Sequence, residues 1–374
     1  MSNPITAAKS ATPFVTSEAM VPVAALFVGI ALPLGHDQLD HLPVPFELVA
    51  SLVIIGFVFW TVFVVLHHAE AIAHRVGEPF GTLVLTTAVT AIEASVIVSV
   101  MLHGTPNPTI ARESVFSTVM IVCAGVIGLA LLLGGWRHHH REHKRQGTSA
   151  LLAVIMALSV LVLVLPNYTL RTGPGEFSPL QLMFISGLCL LLYIGFVIGQ
   201  TQRYREDFLD AEAGSIGRHE ASGSPVRSFV LLGIGLVGIV LMAEYVAATL
   251  ETALEAAHVE QVGAIVGAFV ATLVLLPETV AAIRAAMHNQ LQRSLNIALG
   301  SACATIGMAV PIVALISLFT GHPLILGLGP GDTVLLLLAL GVSIVSFGSG
   351  RTTVLTGVVH LVIFVAYVLL IAVP

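Results

Sequence analysis

LVIIGFVFWTVFVVL, residues 52–66, runs for fifteen positions without a charge or a proline. A helix crossing a bilayer needs about 20 mainly apolar residues, and this run with its flanks supplies them. The rest of the chain has the same character. Of 374 residues, 56% are hydrophobic and 10% carry a formal charge, whereas a soluble domain is about a quarter charged. Too few polar residues remain to coat a globule of this size, so lipid is the expected solvent. The fold class is all-α, a polytopic membrane protein.

The same arithmetic excludes several classes. A net charge of −6 with only 15 Lys and Arg does not suit a nucleic-acid binder. Cys123, Cys189 and Cys303 lie far apart inside apolar runs and read as small buried hydrophobes rather than disulfides or zinc ligands. No cofactor motif is present, and the partners expected are the bilayer, transported cations and protons. Oligomeric state is left open.

Walking the chain gives eleven candidate spans: 19–35, 44–68, 80–103, 113–134, 149–166, 179–200, 228–250, 260–285, 294–318, 331–348 and 352–373. Turn residues fall between them, at Pro106 and Pro108, at Gly173-Pro174-Gly175 and at Gly329-Pro330-Gly331. With the N-terminus in the cytoplasm, every Lys and Arg from Lys9 to Arg351 lies inside except Arg112 and Arg171. That bias across alternate loops fits the tendency of cytoplasmic loops to collect basic residues. It places the C-terminus outside; the compartment expected is a bacterial inner membrane.

Eleven spans divide as an N-terminal segment with the first helix (1–43), a five-helix unit (44–200), a charged linker (201–227) and a second five-helix unit (228–374). Five helices per unit insert the second unit upside down relative to the first, an inverted-topology repeat with its site near the midplane. The words Glu70-Ala71-Ile72-Ala73-His74 and Glu255-Ala256-Ala257-His258 resemble each other. From Glu70 to Glu93 is 23 residues, and from Glu255 to Glu278 is also 23.

Ionisable groups at bilayer depth cost several kcal/mol and default to a functional role. Glu93, Glu244 and Glu278 qualify, and Glu93 and Glu278 occupy equivalent places in the two units. Carboxylate oxygens suit hard cations such as Ca²⁺ or Na⁺. An apolar setting and a neighbouring carboxylate both favour the protonated form of an acid, so protons compete with the cation for the same oxygens. Pro277 removes a helical hydrogen bond beside Glu278. Thr86, Thr87, Thr90 and Ser95 surround Glu93 in sequence, and Thr272 and Thr279 surround Glu278. Asn296, Gly300, Ser301 and Thr305 form a polar, small-residue stripe on the next helix. The expected ion ligands are Glu93, Glu278, Thr90, Ser301 and Glu244, with Glu93 and Glu278 coupling the proton. Glu251 and Glu255 read as outer vestibule residues, with Glu70 and Glu78 as their cytoplasmic counterparts.

In GEPFGTLVLTTAVTAIEASVIVSVML (77–102) and LLPETVAAIRAAMHNQLQRSLNIALGSACATIGMAVPIVAL (275–315), the chain resembles the calcium/cation antiporter superfamily, in particular its bacterial ChaA-type branch. The resemblance implies an exchanger of Ca²⁺, and in this branch also Na⁺ or K⁺, for H⁺. It implies that Glu93 and Glu278 ligate the ion and carry the proton. The family's Gly-Ser-Ser-x-Gln stretch reads Gly300-Ser301-Ala302-Cys303-Ala304 here, and VFSTVMIVCAGVIG (115–128) lacks the Ser-Asn pair of calcium-selective relatives. Fewer polar ligands point toward monovalent exchange.

The tract Arg137-His138-His139-His140-Arg141-Glu142-His143-Lys144-Arg145 reads as a solvated cytoplasmic loop, with metal binding or pH sensing as alternatives. Residues 205–212, from Arg205 to Glu212, suggest an amphipathic surface helix, resembling the acidic helix of related exchangers, or else a plain linker. A phosphate loop and an HExxH helix are both missing from the sequence, which argues against an ATP-driven pump and a zinc protease. A cation channel and an intramembrane enzyme, the latter built on Ser301 or Ser349 with His360, are the alternatives to an exchanger.

Overall fold

The computed structural model describes residues 13–34, 44–76, 80–103, 107–138, 141–169, 173–208, 225–259 and 261–373. Lys9, Glu78, Pro106, His139, His140, Arg171, Asp210, Glu212, Arg218 and Glu260 lie outside them, as does the side chain of Glu70. The helices are α1 (Pro13–Leu34), α2 (Val44–Val76), α3 (Phe80–His103), α4 (Ile110–His138), α5 (Arg145–Tyr168), α6 (Pro179–Arg203), α7 (Pro225–Ala256), α8 (Val262–Met287), α9 (Leu291–Thr320), α10 (Pro330–Phe347) and α11 (Val354–Ala372).

Among the described residues, eight of these helices are long and apolar enough to cross a membrane, and α8 makes a ninth if its two bent arms count as one span. The windows expected at 19–35 and 80–103 fall on α1 and α3, whose apolar stretches among the described residues are Ala19–Leu32 and Thr86–Ser99. The protein is a multi-pass membrane protein.

Local chemistry sets the helix ends. Ser178 caps α6 by accepting from the Gln181 N–H, while Gln181 Oε1 accepts from the Ser178 N–H at 2.9 Å, and Pro179 follows at the first helical position. Gly321, at φ +74°, closes α9 in the left-handed region that only glycine enters freely. Helices α4 and α9 each contain a π-helical turn, Ile121–Val126 and Thr305–Ala309. Such turns shift the backbone hydrogen bonds and cluster at functional sites.

Helix α4 is central: 89% of its most apolar window is buried, against 22% in α6 and α11, which turn most of their surface outward. Small residues allow close approach. A Cβ on Gly357 of α11 would lie 2.7 Å from the Leu132 nitrogen of α4, so the two backbones touch.

Successive helix ends gather at two opposite faces. At one, a two-stranded clasp pairs β1 (Arg141–Glu142) antiparallel with β2 (Arg351–Thr352), and Arg351 reaches Glu142 at 2.8 Å. At the other, the segment Leu324–Leu328 is stitched to Pro108, Leu163 and Gly175 by backbone bonds of 2.8–3.0 Å.

In the tract expected to be a solvated loop, Arg137, Glu142, Lys144 and Arg145 are exposed, while the clasp holds His143 more closely. His143 is half-buried, with Nε2 3.2 Å from the Phe347 carbonyl, and burial holds its pKa below the ordinary 6.5, partly offset by that bond. Of the expected surface helix at 205–212, the described part is a single 3-10 turn, Arg205–Asp207.

Candidate functional site

Glu93 sits mid-way along α3 and is 1% exposed, and Glu278 sits on α8 and is 7% exposed. Glu278 follows the bend in α8, where the arms Val262–Leu276 and Glu278–Met287 meet at 53°. Pro277 at that point has no N–H, so the Leu273 carbonyl loses its helical donor. The bend and the acid are therefore one local feature.

Three hydroxyls serve the two carboxylates. Thr118 of α4 donates to Glu93 Oε1 at 3.1 Å, and Thr305 of α9 donates to Glu93 Oε2. Ser301 of α9 donates to Glu278 Oε2 at 2.5 Å. Ser301 and Thr305 are four residues apart on one helix face, a spacing of about 5–6 Å between Cβ atoms. The two acids, 185 positions apart in sequence (278 − 93), are thus held at adjacent turns of the same helix.

Hydroxyls suit such a site because each is both donor and acceptor. A hydroxyl donates to a carboxylate, accepts from a carboxylic acid, or offers its lone pair to a cation. The same three groups can therefore satisfy charged, protonated and cation-bound states without rearrangement of the helices. Among the described residues no cluster of three or more His, Cys, Asp or Glu could hold a metal.

The other expected ligands are placed differently. Thr90 is buried one turn before Glu93 on α3. Glu244 on α7 is half-exposed and accepts from Ser99 Oγ of α3 at 2.5 Å, six residues beyond Glu93. Ser95, Thr87 and Thr272 are exposed, and Thr272 returns its hydroxyl to its own helix at Ala268, 2.7 Å away. The α9 stripe divides: Ser301 and Thr305 face the acids, while Asn296 donates to the Phe208 carbonyl. Thr118 is not among the expected ligands, although Ser117-Thr118 stands in the stretch that lacks the Ser-Asn pair.

Behind Thr118, α11 fixes α4. His360 is fully buried, with Nδ1 2.7 Å from the Cys123 carbonyl and Nε2 3.1 Å from Ser346 Oγ. A carbonyl only accepts, so Nδ1 carries the proton and Nε2 accepts from Ser346. Tyr367 donates to Ser117 Oγ at 2.7 Å. These bonds engage His360 and Ser301 with different partners, which removes the serine–histidine pair an intramembrane hydrolase would need.

The sodium/calcium exchanger protein family matches this chain twice, over residues 46–202 and 227–373. The chain belongs to that family. It is 43% identical over 322 residues to the y4hA protein of Sinorhizobium fredii, covering 85% of this chain and 87% of that one. It is 33% identical over 355 residues to the sodium-potassium/proton antiporter ChaA of Escherichia coli, covering 93% and 94%. Its fold is shared with native YfkE at a TM-score of 0.69, 17% identity, 96% of this chain and all of that one. Family members of this kind are secondary transporters, so the protein is not an enzyme.

Proposed function

We propose that this family member is a cation/proton antiporter that exports Na⁺ or K⁺, with Ca²⁺ as a weaker substrate, in exchange for H⁺. Glu93 and Glu278 bind cation and proton alternately at the midplane, and helix movement around α9 switches access between the two sides. The observation that carries this reading is the pair of bonds from Ser301 and Thr305, which tie both acids to one helix, α9. Mutual exclusion at shared oxygens then couples cation release to proton binding.

Three further observations support it. The two family matches begin and end close to 44–200 and 228–374, the expected inverted repeats. Arg137, Arg141, Lys144, Arg145 and Arg351 gather at the clasp end, which favours a cytoplasmic clasp and an outward C-terminus. The ligand set is small for Ca²⁺, which takes 6–8 oxygens, and the Escherichia coli relative is named for sodium and potassium.

Everted membrane vesicles carrying an acid-inside pH gradient test the proposal. Addition of Na⁺ or K⁺ should dissipate the gradient, with Ca²⁺ less effective, and Glu93→Gln or Glu278→Gln should abolish the response. A gradient unmoved by all three cations would exclude exchange. Full activity in both glutamine variants would exclude the paired-carboxylate site.

A further inference from the structure

A third buried acid lies on the same helix as Thr118. Glu113, in the first turn of α4, is 7% exposed. An acid that merely complements the helix dipole belongs at a solvated rim, yet Glu113 is packed against α8. A Cβ on Gly267 there would come within 2.6 Å of the Glu113 Cβ and 3.0 Å of the Ser114 nitrogen. Arg112 donates to Glu113 Oε1 through both Nε, at 3.0 Å, and Nη2. Its remaining nitrogen, Nη1, donates to the Gly327 carbonyl at 3.0 Å. That carbonyl belongs to the segment closing the end of the molecule opposite the clasp.

Polar groups lead inward from this pair. Residues 113, 114, 117 and 118 fall within an arc of about 140° on α4, and Glu113 stands about 7.5 Å along the axis from Thr118. Ser117 is bonded by Tyr367 and Thr118 bonds Glu93. Between them and Glu113, Ser114 Oγ is fully buried and has no hydrogen-bond partner among the described residues. An unsatisfied buried hydroxyl calls for a physical reason. A transient polar occupant on a route past it supplies one.

We infer that Glu113 is a further ion-binding carboxylate, at which a proton or monovalent cation pauses between the outer water and Glu93. The inference rests on the antiporter reading above. In the present conformation the Arg112 guanidinium fills the position of that ion. A proton arriving from outside neutralises Glu113 and ends its attraction for Arg112, which keeps its bond to Gly327. The proton then passes along the hydroxyls toward Glu93. Around Glu113, the charged and titratable groups are Arg112 on α4, Asp332 on α10 and Tyr367 on α11, while α8 presents Gly267.

The test compares wild type, Glu113→Gln, Glu113→Asp and Arg112→Gln in everted vesicles, whose lumen bathes the outer face. Glu113→Gln should lower the maximal exchange rate at least about tenfold and flatten its dependence on lumenal pH. The KM for Na⁺ or K⁺ added at the cytoplasmic face should stay within about twofold, and Glu113→Asp should recover the pH dependence. A wild-type rate and pH profile in Glu113→Gln would overturn the inference while leaving the antiporter intact. Absence of exchange in the wild type would overturn both. If Glu113→Gln fails to reach the membrane, Glu113→Cys in right-side-out vesicles should react with an impermeant cationic thiol reagent during turnover. A thiol that stays unreacted would equally overturn it.

Discussion

Ser301 and Thr305 stand one turn apart on α9 and bond carboxylates from opposite halves of the sequence, Glu278 and Glu93. A single helix therefore donates to both acids. Loss of either bond alters the register between α9 and one carboxylate while leaving the other in place. That geometry makes the two hydroxyls separable by mutation.

Thr305→Val keeps shape but removes the donor to Glu93. A buried charged acceptor deprived of a bond loses about 1.5–3 kcal/mol, equivalent to roughly tenfold to hundredfold in exchange rate or cation affinity. Thr305→Ser should retain most of the activity. Thr272→Val, at an exposed hydroxyl bonded within its own helix, should leave exchange unchanged. Vesicle transport at several Na⁺ concentrations measures all three. Equal losses in Thr305→Val and Thr272→Val would contradict the site.

Glu93 and Glu278 were legible in the sequence because charge at bilayer depth is rare and their spacing from Glu70 and Glu255 repeats. Their hydroxyl partners were harder to read. Sequence neighbours such as Thr90, Ser95 and Thr272 share a helix with an acid, but a helix turns its neighbours through 100° per residue, so several point elsewhere. The partners observed for Glu93, Thr118 and Thr305, come from other helices, and no local pattern encodes a contact across 25 or 212 positions; Ser301, the partner of Glu278, stood among the expected ligands. The clasp escaped notice for a related reason. A two-residue strand carries no periodicity, and its pairing joins residues 141–142 to 351–352.

His360 should be a stability residue. Its Nδ1–H satisfies the Cys123 carbonyl within the π-helical turn of α4, where the α-helical donor pattern is interrupted. His360→Leu leaves that buried carbonyl without its ring donor and should cost about 1–3 kcal/mol. Ser346→Ala removes only the outer bond and should cost less. Thermal unfolding in detergent ranks the two. A His360→Leu melting temperature at or above that of Ser346→Ala would refute the assignment.

Two glycines should respond in opposite ways. A side chain on Gly357 meets backbone, with Leu132 N at 2.7 Å and Gly128 O at 2.9 Å, and backbone in a packed helix cannot yield cheaply. Gly357→Ala should therefore separate α4 from α11 and sharply reduce the yield of folded protein. Gly233 on α7 has nothing within 4 Å of a new Cβ. Gly233→Ala should be neutral or stabilising by up to about 1 kcal/mol, the helix propensity difference. Size-exclusion profiles and melting temperatures of the two variants decide the matter.

The clasp should weaken in acid through His143. The Phe347 carbonyl can only accept, so Nε2 carries the ring proton and Nδ1, buried without a partner among the described residues, has none. Protonating Nδ1 would put a charge into a poorly solvated pocket edged by the Phe347 ring at 5.3 Å, which is why burial lowers the pKa from 6.5. The unfolded chain takes up its proton first as pH falls through about 6.5. Stability is therefore full above that value, declines below it, and stops declining once pH passes the lowered native value. The Arg351–Glu142 pair, with side chains 73% and 75% exposed, is screened by water and offsets little of this. Unfolding of wild type and His143→Asn from pH 8 to pH 5 should show a shallower acid loss in the variant, and parallel curves would remove His143 from the account.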